Sequence, residues 1–339
     1  MGIENIKKAY ELVEQGIELI EKEENVAYLD AFIQFADGLL GGGKAEDEQK
    51  IASEFSDGLK EVYRKIDLQS FSKEDIRQLI QLVLLRSYRQ EQIQANHQMT
   101  PDSIGILIEY LVEKISSKSQ RLEILDLAVG TGNLLETVMN KLQSRGWQKI
   151  HGVGIDNDDT LLAIASIGVQ LEEQNVDLYH QDALDALAIQ PADLVISDLP
   201  VGYYPLDERV TGFKTHAKKG HSYAHHLIIE QAVNCLKPGG CGIFVVPRGL
   251  FESKESQSLV KYIQEVGYFQ GLVNLPGELF NSERSQKSLL LVQKKGNGPK
   301  QVHQVLLGDF PSFKNKQEFA SFLNEISDWF KQENLKINK

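Results

Sequence analysis

The spacing of apolar residues changes character partway along the chain. In the first 95 residues, Ile6, Tyr10, Val13, Ile17 and Ile20 recur at three- and four-residue intervals, which puts them on one face of a helix. Phe32, Phe35 and Leu39 continue the pattern until Gly41, Gly42 and Gly43 interrupt it. Ile51, Phe55, Leu59 and Val62 mark a further helix. Ser72 and Asp75 have the spacing of a helix N-cap, with an apolar stripe following from Ile76 to Tyr88. From residue 122 the period shortens. Apolar runs at 122–127, 150–155, 176–179, 193–197, 242–246, 272–275 and 288–292 alternate with helical segments and predict seven strands. That alternation predicts a Rossmann-like, largely parallel sheet covered on both faces. The last two runs are joined through 276–285 without room for a full helix, so the final strand is expected to turn back antiparallel. A further apolar run at 302–307 precedes a helix over 316–331 that buries Phe319, Phe322, Ile326 and Phe330. The pattern divides the chain into a helical N-terminal domain (1–95), an α/β domain (96–298) and a strand and helix extension (299–339).

Composition narrows the class. A length of 339 residues suits about two domains, and 42% apolar content is enough for buried cores. No apolar run approaches the ~20 residues of a membrane span, and Met1 to Asn25 lacks the uninterrupted apolar stretch of a signal peptide. Cys235 and Cys241 flank a Pro-Gly-Gly turn and suggest neither a disulfide framework nor a zinc site. These features together point to the cytoplasm. The net charge is −12, of which −7 lies in the first 95 residues, so any contact with a polyanion must be local. Within 200–226, Arg209, Lys214, Lys218 and Lys219 stand against Asp207 and Glu208, a local basic patch that reads equally as a solvated mobile loop. The segment from Gly38 to Ala45 fits a phosphate-binding loop except at Ala45, and no strand precedes it; it reads as an interhelical loop. The acidic run Glu21 to Glu24 reads as a solvated helix face. No metal site is expected, because Ser222 stands where a metalloprotease helix with His221 and His225 would carry Glu.

Three sites at strand ends carry candidate chemistry. Asp126-Leu127-Ala128-Val129-Gly130-Thr131-Gly132-Asn133 joins the first strand to a helix, where glycines admit a ligand to the backbone and the helix offers free N–H groups. A nicotinamide fingerprint would need a third glycine at 135, which is Leu135. Asp156, with Asn157 after it, closes the second strand, where a carboxylate can accept both ribose hydroxyls of a nucleoside. Asp182 and Ala183 follow the third strand, and Asp182 could accept a hydrogen bond from a cofactor adenine.

In this order the motifs resemble the S-adenosylmethionine-dependent N6-adenine DNA methyltransferases, chiefly the modification subunits of type I restriction systems and their stand-alone bacterial relatives. Met99-Thr100-Pro101 resembles the family's Thr-Pro segment that touches the cofactor. The run from Asp193 to Pro200 aligns with a strand and catalytic loop that read Asn/Asp-Pro-Pro-aromatic in the family. Leu236 to Gly240, Val245-Val246-Pro247, Leu275 to Phe280 and Lys287 to Val292 resemble its later turns and strands. The resemblance covers residues 96–295 and implies a class I methyltransferase fold with S-adenosylmethionine as cofactor. A helical N-terminal domain accompanies those modification subunits too.

The resemblance implies roles for the catalytic loop. Asp198 takes the first position and Pro200 the third, while Leu199 replaces the second proline and Val201 the aromatic residue. An exocyclic amino nitrogen is a poor nucleophile because its lone pair is delocalised. The Asp198 carboxylate and the Leu199 carbonyl would accept its hydrogens and localise that pair, with Tyr203 or Tyr204 stacking on the base. Leu199 is still held extended, because it precedes Pro200. Adenine in DNA or RNA is the leading acceptor, with a separate specificity subunit as an expected partner. A methyltransferase for a protein glutamine or a small molecule, and a non-catalytic cofactor-binding module, remain open. About 44 residues follow Lys295, fewer than a target-recognition domain needs, so the chain alone is expected to read sequence poorly.

Overall fold

A computed structural model describes residues 3–42, 53–90, 97–296 and 298–337. Gly43, Lys44, Ala45 and Ile51, and the expected domain boundary at 95/96, lie outside the described residues.

The N-terminal helices are α1 (Ile3–Glu24), α2 (Tyr28–Leu40), α3 (Ser53–Lys65) and α4 (Lys73–Gln90). Val13, Ile17 and Ile20 of α1 are buried against Phe32 and Phe35 of α2, as the periodicity predicts. The N-terminus of α4 is capped reciprocally: the Asp75 amide donates to Ser72 Oγ at 3.2 Å, and the Ser72 amide donates to Asp75 Oδ2 at 2.9 Å.

After α5 (Asp102–Ile115) come β1 (Leu122–Asp126), α6 (Asn133–Ser144), β2 (Ile150–Asp156), α7 (Asp159–Leu171), β3 (Val176–His180) and β4 (Ala192–Asp198). Then follow α8 (Ala224–Cys235), β5 (Leu236–Pro247), α9 (Ser256–Val266), β6 (Gly267–Asn274) and β7 (Lys287–Lys294). The chain closes with β8 (Leu306–Asp309) and α10 (Lys316–Glu333). The sheet order is β3-β2-β1-β4-β5-β7-β6-β8. Its strand count is eight rather than the expected seven, because the run at 302–307 delivers a short strand that pairs parallel with β6. β7 runs antiparallel to both β5 and β6.

Successive strand residues face opposite layers. Ile124, Ile196, Ile243, Val245 and Leu291 pack with α5, α6 and α10. Leu125, Val195, Phe244, Val246 and Leu290 pack with α8 and α9. Burial on both faces explains why the strands read as continuous apolar runs. Ala192 of β4 pairs with Leu236 of β5 and Leu194 with Cys241, so Lys237 to Gly240 bulge from the ladder, with Gly239 at φ +85°. Ile164 and Ile167 of α7 join the core of the N-terminal helices, so that domain sits against the sheet's own helical layer. Strand order reverses between β1 and β4, the place in an open α/β sheet where ligands bind.

Candidate functional site

At that reversal lies a cavity of about 550 Å³. Its lining brings together Thr100, Ala128, Gly130, Asn133, Asp156, Asn157, Asp182 and Ala183 with Asp198, Leu199, Pro200, Tyr203 and Tyr204. Pro101, Asp126 and Gly132 are not part of the lining, and neither are Arg209, Lys214, Lys218 or Lys219.

The glycine turn is built for close approach. Gly130 has φ +52°, and a Cβ there would meet nothing within 4 Å, so its backbone lies open to the cavity. Gly132 has φ +83°, and a Cβ there would lie 2.8 Å from Glu136 Oε1. Asp156 ties the turn to β2: its Oδ2 accepts from the Gly130 amide at 2.8 Å, and its Oδ1 from the Asp158 amide at 3.0 Å. Burial raises the Asp156 pKa, while those backbone N–H groups oppose the rise.

Asp126 sits behind the turn and is buried. Its Oδ1 accepts from Ser197 Oγ at 2.7 Å and from the Ala128 amide at 3.0 Å. Its Oδ2 has no partner among the described residues. Burial pushes this carboxyl up to about 7, with the hydrogen bonds from Ser197 and Ala128 opposing. An unfolded Asp titrates near 4, so from about pH 4 to about pH 7 the folded chain keeps a proton the unfolded chain has lost. The contribution of Asp126 to stability therefore falls as pH rises through that window and is constant above it. Asp126→Asn should flatten the decline of melting temperature between pH 5 and pH 7 in calorimetry. Some slope should remain, because burial also raises Glu172 to about 7. Identical slopes for native and variant would reject the assignment.

Asn133, expected at the cofactor, is committed elsewhere as well. Its Nδ2 donates to the Thr100 carbonyl at 2.6 Å. Its Oδ1 accepts from Arg77 at 2.9 Å and from Gln81 at 2.8 Å, both on α4. Arg77 also reaches both oxygens of Asp102, at 2.5 and 2.8 Å. The N-terminal helices thus grip the residue that opens α6, a link sequence reading missed. Arg77 lies three and seven residues before Ile80 and Leu84, in phase with the buried stripe, and a charge in that phase is the signal that could have found it.

The two tyrosines separate. Tyr204 is buried and its hydroxyl donates to Asp182 Oδ2 at 2.7 Å, while Asp182 Oδ1 accepts from the Leu184 amide at 2.9 Å. Tyr203 is 58% exposed and stacks on Tyr223 with ring centroids 4.7 Å apart. Asp198 is flanked on both oxygens: Thr100 Oγ1 lies 3.0 Å from Oδ2, and Lys287 Nζ lies 2.5 Å from Oδ1. Lys287 is a second residue the sequence did not disclose. The Leu199 amide donates to the Val245 carbonyl at 3.0 Å, tying the loop to β5. Beneath the loop, burial lowers His225 to about 3, helped by His226 and opposed by the Pro200 carbonyl.

The basic segment is pinned rather than free. Glu230 accepts from the Lys214 and Thr215 amides at 3.0 and 2.7 Å, and Asp207 accepts from the Ser222 amide at 3.0 Å. Arg209 pairs with Asp185, and Lys214 with Glu265 at 2.7 Å. Lys218 and Lys219 are exposed and pair with no acid among the described residues.

A Rossmann-like sheet, a glycine turn open to a cavity at the strand-order reversal, and acids closing β2 and β4 make up the kind of site that holds a nucleoside cofactor. The family comparison makes this specific: the chain belongs to the N-6 DNA methylase family, whose model matches residues 73–335. It is an S-adenosylmethionine-dependent methyltransferase. Residues 7–88 match a second model, the YtxK N-terminal helical domain. The uncharacterized protein YtxK of Bacillus subtilis is 37% identical over 334 residues, 98% of this chain and all of that one. A candidate class I S-adenosylmethionine-dependent methyltransferase from Listeria monocytogenes superposes with a TM-score of 0.89 at 38% identity, covering 97% of this chain and 100% of that one. The methyltransferase subunit of a type I restriction-modification system from Streptococcus thermophilus shares the fold, with a TM-score of 0.64 at 17% identity over 92% of this chain and 73% of its own.

The residues present suit the cofactor. Gly130 leaves room for a ligand against the backbone, Asp156 retains unused lone pairs, and Ala128, Asn157 and Ala183 line the same wall.

Proposed function

We propose that this chain methylates an exocyclic amino nitrogen, with adenine in nucleic acid as the acceptor. One observation carries the reading: the Asp198 carboxylate and the glycine turn face a single cavity. Bound S-adenosylmethionine supplies an activated methyl group, and the protein supplies position and hydrogen bonds. Asp156 holds the ribose hydroxyls and the Gly130 region borders the methionine part. Asp182 keeps one face for the adenine amino group beside the Tyr204 hydroxyl. Asp198 and the Leu199 carbonyl accept the N–H hydrogens of the acceptor. Stacking falls to Tyr203, which has Tyr223 behind it and the exposed Val201 and Leu206 beside it at the cavity mouth. The deciding experiment is tritiated methyl transfer from the cofactor to DNA, RNA and protein fractions. Label confined to protein would replace adenine with an amide acceptor, and label nowhere would favour a non-catalytic module.

Asp156→Ala should weaken S-adenosylmethionine binding by on the order of ten- to a hundredfold, the loss of a doubly hydrogen-bonded ribose contact worth roughly 1.5–3 kcal/mol. Titration calorimetry measures this directly, and unchanged affinity removes Asp156 from the cofactor site. Nucleic-acid binding should be weak, salt-sensitive and indifferent to sequence, with Lys218 and Lys219 contributing most. Arg209 and Lys214 contribute less because each already faces an acid. Changing Lys218 and Lys219 to Gln should reduce the slope of log affinity against log salt by about 1 per lysine. A slope unaltered by both changes would move the contact to another surface. Sequence choice then belongs to a separate specificity subunit, as the likeness to a type I modification subunit suggests.

A further inference from the structure

The cavity is lined by four acids, Asp156, Asp158, Asp182 and Asp198. Among its described lining residues Lys287 is the one lysine or arginine. Lys287 opens β7, two strands away from β4, opposite Pro247 in the β5 ladder. It reaches over the end of β5 to touch Asp198 Oδ1 at 2.5 Å. The side chains of Lys287 and Asp198 are 24% and 16% exposed, so both charges are largely desolvated yet still open to the cavity. A carboxylate whose sole task was to accept amino hydrogens would do so better without an ammonium on one oxygen. The pairing therefore needs a reason.

An ammonium carries three N–H donors, and Asp198 takes one of them. The others remain beside a carboxylate that still has unused lone pairs. The site thus presents a hydrogen-bond acceptor and a donor side by side. The matching edge has an N–H next to an in-plane lone pair. Adenine has that edge on either side of its amino group, where a ring nitrogen neighbours the amino hydrogens.

We infer that Lys287 is a specificity-determining residue, which donates to the ring nitrogen beside the amino group held by Asp198. This rests on the adenine reading above. It adds that the acceptor must carry a lone pair next to the nitrogen that takes the methyl group, and that an amine lacking one is rejected.

The test uses the full chain saturated with S-adenosylhomocysteine and a short single-stranded oligodeoxynucleotide holding one adenine, 1-deazaadenine or 7-deazaadenine. Binding is read by fluorescence anisotropy. In the native protein one of the two deaza bases should bind about tenfold more weakly than adenine, the effect of losing one hydrogen bond to a charged group. In Lys287→Met that difference should vanish, a coupling read from the double-mutant cycle. Lys287→Gln, which keeps a neutral donor, should retain part of it, and both variants should match the native melting temperature closely enough to show an intact fold. Equal binding of all three bases by the native protein, or an unchanged difference in Lys287→Met, overturns the inference and leaves the adenine reading standing. No binding of the adenine oligonucleotide by the native protein removes that reading and this inference together.

Discussion

Asp198→Ala is expected to reduce methyl transfer by on the order of 10²- to 10⁴-fold, the range typical of removing a group that handles the reacting proton. The loss should appear in kcat, with cofactor affinity nearly unchanged, because the glycine turn and Asp156 lie on other strand ends. The Ala variant also leaves the Lys287 ammonium without its carboxylate, so Asp198→Asn is the necessary companion. Asn keeps an acceptor oxygen and should retain more transfer than Ala. Rapid-quench measurement on an identified acceptor checks both, and full activity in Asp198→Ala would remove this residue from catalysis. The neighbouring departure from the family pattern has a structural consequence. The Leu199 amide donates to Val245, and a proline there would delete that donor. Leu199→Pro should therefore cost stability, about 1 kcal/mol for the lost hydrogen bond. Val201→Tyr, at a 44% exposed position, is the cleaner way to restore a stacking ring. A rise in adenine methylation by that variant would mark the native loop as impaired for adenine, and no rise would mark it as tuned to another acceptor.

Arg77→Met should have the largest effect among changes outside the cavity. Arg77 is 2% exposed and binds Asp102, Glu74 and Asn133 together. Removing it leaves Asp102 with neutral donors such as Gln81, and Glu74 with Lys141 at 3.8 Å, and should cost about 3 kcal/mol. That is the low end for a buried pair, because the Asp102 and Glu74 side chains are 34% and 32% exposed. It should also loosen Asn133, and with it the turn at Gly130 to Gly132. Cofactor affinity should then fall by about tenfold, one hydrogen-bonded contact's worth. Arg86→Met is the control: Arg86 pairs with Glu14 and Glu18 inside the same helical domain, away from the turn. It should lower the melting temperature while leaving cofactor affinity alone. Should Arg77→Met destabilise without weakening the cofactor, the helices would be scaffolding only.

The alternation of apolar runs and helices was legible because strands buried on both faces and amphipathic helices leave unlike periods. That the glycine turn, Asp156 and Asp198 gather around one cavity was legible because each sits at a strand end beside the strand-order reversal. Lys287 and Arg77 were not. Lys287 meets Asp198 from 89 residues away, across an intervening strand. Arg77 meets Asn133 from 56 residues away, between the N-terminal helices and the start of α6. Contacts of that kind leave no mark in local periodicity. The ion pairs of the basic patch were hidden in the same way: composition counts Arg209 and Lys214 as free charge, and Asp185 and Glu265 arrive from other parts of the chain. The eighth strand was legible as the strand of the extension, but four residues at a sheet edge carry too little pattern to show that it joins the main sheet.

The reversed direction of β7 has a consequence for how such a protein could acquire new preferences. β6 ends and β7 begins on the same edge of the sheet, the edge that holds the cavity. The hairpin between them runs along the rim, with residues 281–285 exposed. Its length can change without altering the register of either strand, since insertions at exposed loop tips disturb little buried backbone. A parallel β7 would have begun at the far edge and needed a crossover of a dozen residues or more to return. The hairpin is thus a place where evolution, or an engineer, can graft recognition elements beside the cavity while the strand ends at β1 and β2 stay as they are.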